Sequence, residues 1–182
     1  MTRLIALLCA IAAAAALRLV PHPPNFSPID AMALFSGAYL GRRAIAFVAP
    51  LAALLLSDLV LGYYHGMATV YPTVPLIVMG GWTVSPRPSA LRVGVAAVAG
   101  SVIFFVVTNF GMWLFSGFYP VTYPGLIACY TAAIPFFQNT LVGDLFYTAL
   151  LFGGFAFAEQ LVPRLRAGEA ETAQVATSAR AL

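Results

Sequence analysis

The sequence predicts an all-α membrane protein, a six-transmembrane-helix bundle with both termini on the cytoplasmic side. Three observations carry that expectation. The 182-residue chain is 62% apolar and 8% charged, with a mean hydropathy of +0.92, whereas a soluble domain is about 25% charged. Six apolar stretches divide it. All nine basic residues are arginines, and seven of them fall at alternate junctions: Arg3, then Arg42 and Arg43, then Arg87 and Arg92, then Arg164 and Arg166. Arginine collects on the cytoplasmic side of a bilayer, so the alternation orients each crossing. Arg18 breaks the pattern, at the outer end of the first stretch.

The first span covers residues 4–20. Its Arg3, leucine-rich core and alanine run also resemble a secretory signal, but Arg18 and the loop beyond it read better as the end of an intact span. That loop, residues 21–28, holds four prolines and is stiff. The second span, residues 29–41, is short against the roughly 20 residues a full crossing needs. The bilayer is therefore expected to thin there, or the proline-rich loop to dip into the membrane plane. The third span is 44–64, and a brief outer turn at His65, Gly66 and Met67 leads into a fourth at 68–84, interrupted by Pro72 and Pro75. Residues 85–91 form an inner loop, and the fifth span is 92–115. The uncharged outer segment 116–138 is rich in Tyr, Phe and Pro, with a short helix expected over 125–133, and the sixth span is 139–161. The spans make one domain, 1–162, followed by an alanine-rich cytoplasmic tail of little order, 163–182.

Ionisable and amide side chains inside an apolar bundle usually mark a site or a pair. Placed by depth, they converge on the outer level. Arg18 ends the first span, Asn25 lies in the loop after it, and Asp30 starts the second. Asp58 lies in the outer third of the third span, with His65 on its face at i+7. Asn109 and Trp113 share a face of the fifth span, and Asn139, Asp144 and Tyr147 open the sixth. Tyr119 and Tyr123, with Trp113, would cover a pocket from above. Glu159 alone lies in the inner half, within reach of Arg164 or water. Each group also has a structural reading: Asp58 as the ion-pair partner of Arg18, Asn109 as an interhelical hydrogen-bonding residue, Asp30 as a helix cap. With more outer aspartates than arginines, a cationic or zwitterionic ligand, or one rich in hydrogen-bonding groups, fits best.

Other functions find little support. No nucleophile elbow, zinc-protease helix, phosphate-binding Gly-Lys-Ser/Thr loop or Cys-x-x-Cys stands in the chain, so neither an enzyme nor a cofactor is expected. Two scattered histidines make no metal site. The pI of about 9.1 does not indicate nucleic acid, because the charges sit at span ends.

Ala6, Ala10 and Ala14 repeat an Ala-x-x-x-Ala spacing in the first span, which lets another helix approach closely. With the chain length, the six spans and the loops after spans one and five, this resembles the S components, the substrate-binding membrane subunits of energy-coupling-factor vitamin transporters. That resemblance implies a bacterial inner-membrane protein that binds a vitamin-like small molecule for uptake. It also implies a transmembrane coupling subunit docked on Ala6, Ala10 and Ala14, and ATPases that energise the cycle. The segments 25–28, 57–59, 108–111 and 143–147 are also similar to a bacterial membrane-protein family of unassigned function. The competing expectation is a structural or assembly subunit of a larger membrane complex, with no ligand of its own.

Overall fold

The computed structural model describes residues 1–64, 66–84 and 88–166. Among these every regular element is helical: α1 (Thr2–Leu17), α2 (Ile29–Leu40), α3 (Ala44–Leu61), α4 (Met67–Gly81), α5 (Ala90–Phe115) and α6 (Tyr123–Thr148). A π turn (Ala149–Gly153) and α7 (Gly154–Leu161) continue α6. Three of these segments, Ala44–Leu61, Ala90–Phe115 and the continuous run Tyr123–Leu161, are long and apolar enough to cross a membrane. Residues 85–87 of the expected inner loop 85–91, His65 and the tail beyond residue 166 lie outside the described residues.

Each helix buries one stripe. In α3 the buried positions are Ala46, Pro50, Ala53, Leu54, Ser57 and Asp58, spaced three or four apart as one helix face requires. The opposite face of the same helix exposes Leu55, Leu56, Leu59 and Val60. An apolar outer surface of this kind suits lipid contact.

The short α2 is the exception, and its surroundings explain it. Every one of its 12 residues except Tyr39 is buried, and it touches α1, α3, α4, α5 and α6. At 1.5 Å per residue it is about 18 Å long, but a helix wrapped by its neighbours need not match the bilayer. Gly37 and Gly81 set the tightest contact. A Cβ on Gly37 would overlap the Val78 carbonyl, and one on Gly81 would lie 2.5 Å from the Leu34 carbonyl oxygen. The α2 and α4 backbones therefore touch directly.

Two sequence expectations are corrected here. The separate helix at 125–133 and span at 139–161 are one helical run of 39 residues. Pro135 lies inside this helix, as Pro50, Pro72 and Pro75 do in theirs. Continuing the helix keeps all other backbone groups paired where water is scarce. Glu159 meets not Arg164 but Arg3, at 2.5 Å. Arg3 also donates to the Leu165 carbonyl and so ties down the short 3-10 turn Pro163–Leu165, where a loose tail was expected.

The helix ends sort into two poles. At one, Arg3 lies over the Tyr39 and Phe155 rings, Trp82 donates to the Gly41 carbonyl at 3.1 Å, and Arg42 covers the Trp82 ring. At the other, the C-terminal ends of α1, α3 and α5 meet the N-terminal ends of α2, α4 and α6 around a cleft.

Candidate functional site

The cleft has a volume of about 570 Å³, within the range of small-molecule sites. Its wall gathers Arg18, Asn25, Asp30, Asn109, Tyr119 and Asp144, six of the residues singled out from sequence. Aromatic and aliphatic groups complete it, with Phe104, Phe105 and Phe136 as the largest.

Asp58 stands behind this wall. Its carboxylate pairs with Arg18 Nη2 at 2.8 Å and accepts from Tyr71 at 3.0 Å and Tyr64 at 3.5 Å. Arg18 also donates to the Ser57 hydroxyl and the Leu54 carbonyl. The Asp58 side chain is sealed from solvent. The structural reading of Asp58 is thus the one the geometry takes: an ion pair with its remaining valences filled by tyrosines, as a buried pair requires.

Trp113, Tyr123, Asn139 and Tyr147 are not on the cleft wall. Three of them hold the loops around it. Asn139 Nδ2 donates to the Pro24 carbonyl at 3.0 Å, and the Tyr147 ring packs on Phe26, centroids 5.4 Å apart. Gly143 lets this loop close in, its missing Cβ facing Phe26 Cα at 3.1 Å. The proline-rich loop is thereby fastened to α6 over the cleft. Trp113 fastens the other loop, donating to the Pro120 carbonyl at 3.0 Å. Tyr123 begins α6 with 74% exposure and covers nothing. Asn25 lies at the rim with φ 63°, a left-handed conformation that asparagine tolerates better than most residues.

Ala14 is buried in the core, and Ala6 and Ala10 pack against it. Part of the Ala-x-x-x-Ala stripe therefore packs against helices of its own bundle, where small side chains let α1 approach.

The floor of the cleft is acidic. Asp30 is 5% exposed and Asp144 2% exposed, and their carboxylates meet between α2 and α6. Asp144 accepts from Ser101 at 2.6 Å. Asp30 makes no capping bond to its helix, and among the described residues neither of its oxygens has a donor. The cap expected from sequence is not formed; the start of α2 instead lends the carboxylate its positive dipole end. Ser101 was missed in the sequence reading. It sits seven residues before Thr108 on the same face of α5, and that spacing of small hydroxyls was the available signal. Ser57, Tyr64 and Tyr71 were missed as well, because nothing local shows that they would surround one aspartate.

No group of three or more metal-ligating side chains is found among the described residues. No curated protein and no solved structure gives a significant match to the chain. One family model does match, over residues 1–165, which takes in every helix among the described residues and the whole cleft. The chain belongs to DUF6580, a family of unknown function.

Proposed function

We propose that this chain is a six-span protein of a bacterial inner membrane, with both termini cytoplasmic, that captures a small molecule from the outer side for uptake. The observation that carries the reading is the cleft of about 570 Å³ at the pole opposite Arg3 and Arg42, with polar groups from α1, α2, α5 and α6 on its wall. Arginines at the closed pole support a cytoplasmic orientation there, which turns the cleft outward. Two fastened loops at its rim suit a site that closes over its ligand. The chain contains no phosphate-binding loop, so ATP-driven uptake in the manner of an S component would take its energy from separate coupling and ATPase subunits.

The Arg18–Asp58 cluster, filled by its own tyrosines and serine, favours a second reading, a structural subunit whose polar groups only knit the bundle. Mass spectrometry of small molecules released from mildly solubilised protein separates the two. Capture expects a stoichiometric compound lost on denaturation; a protein that retains none, from cells grown in rich or minimal medium, overturns capture.

A further inference from the structure

The hydrogen-bonding inventory of the cleft is lopsided. Most of the donors deep in its wall are committed within the protein, the Ser27 hydroxyl excepted, which is buried without a partner. Thr108 gives its hydroxyl to the Phe104 carbonyl at 2.7 Å, Thr140 to Phe136 at 3.3 Å, and Asn109 donates to Phe105 at 2.8 Å. Arg18, the cation on the wall, is held by Asp58, Ser57 and Leu54, and turning it into the cleft would strip Asp58 of its partner. Against this stand two carboxylates on the floor, Asp30 without a donor and Asp144 with Ser101. Ionised carboxylate oxygens only accept, so the two acids satisfy each other only by sharing a proton or through a donor between them. Two negative charges in contact away from water are costly, and either such a proton or a cation relieves them.

From this imbalance we infer that the cleft recognises an organic cation, a protonated amine whose N–H groups bridge Asp30 and Asp144. The inference rests on the capture reading and names its ligand class. An ammonium or amidinium supplies both the donors and the charge the floor lacks, through charge-assisted hydrogen bonds. The apolar body of the ligand lies against Phe104, Phe105 and Phe136, rings that also favour a nearby cation through their faces. A carboxylate or phosphate ligand would meet the aspartates with like charge and no free cation. A metal ion is poorly served, with no third acidic, histidine or cysteine ligand grouped there among the described residues.

Thermal unfolding of the full chain in mild detergent tests the class with three probes of one shape, 2-phenylethylamine, 2-phenylethanol and 3-phenylpropanoate, and with calcium chloride at matched ionic strength. The amine is expected to raise the unfolding temperature saturably, and the other three to leave it unchanged. Asp30→Asn and Asp144→Asn should each weaken the amine response about tenfold, as loss of one charged hydrogen-bond partner does. Equal stabilisation by the alcohol, the carboxylate or calcium overturns the inference, as does no response to the amine. An amine response unchanged in both variants overturns it too. Should the variants fail to fold, the probe ranking on the unaltered chain decides alone. A retained compound without a basic nitrogen sinks the cation class but leaves capture standing; no retained compound and no probe response sink both.

Discussion

Arg18 and Asp58 hold opposite charges where neither can stand alone. Removing one partner of a buried pair costs about 3–5 kcal/mol, whereas replacing both with apolar groups is often neutral. Arg18→Ala should therefore lower stability by about that amount, and Arg18→Met with Asp58→Leu should recover most of the loss. Unfolding in detergent by increasing denaturing surfactant reads the cycle; a double variant as weak as the single one would contradict the assignment. Sequence alone could not choose between Asp58 as ligand group and Asp58 as ion-pair partner. The choice depends on Tyr64 and Tyr71, which reach Asp58 only because the chain turns back between α3 and α4. Asp30 and Asp144 were legible as buried acids, but their meeting needed α2 and α6 to be neighbours, and no local pattern states that.

At the level of elements, the α2–α4 crossing depends on the absence of two side chains. Gly37→Ala would drive a methyl into the Val78 carbonyl, and Gly81→Ala would crowd Leu34 and Ala38. Each should cost about 3 kcal/mol, at the upper end of overpacking. Gly80, one residue away, has open space around its missing Cβ, so Gly80→Ala should be neutral or slightly stabilising. The three variants compared by thermal unfolding check the crossing, and equal effects at Gly80 and Gly81 would argue against it. Helix existence was readable from apolar length, and α2, α3, α4 and α5 begin within two residues of where the apolar stretches put them. Prolines misled the reading of α6. Pro135 breaks a helix in water, but in an apolar setting the run continues through it because unpaired backbone is costlier than one missing bond. The π turn at Ala149–Gly153 left no mark in the composition.

For the whole molecule, orientation is the main expectation still to be checked. With Cys9 and Cys129 replaced by alanine, Tyr119→Cys at the cleft rim should react with a membrane-impermeant thiol reagent in intact cells. Arg42→Cys should react only after the membrane is opened. Reversed labelling would turn the cleft toward the cytoplasm and remove the uptake reading. The arginine pattern is the ground for expecting this polarity, since charge placement survives any error in helix bounds. The cleft itself was legible as a level, not a shape: depth put Arg18, Asn25, Asp30, Asn109 and Asp144 together, whereas Trp113, Asn139 and Tyr147 shared that depth but turned to loops. One consequence concerns how such a chain is made. A 12-residue helix that is enclosed on every side has too little apolar length to leave the insertion machinery and rest in lipid by itself. Its stable placement must await its glycine-matched neighbour, so the ribosome has to deliver residues up to Gly81 before the centre of this protein exists.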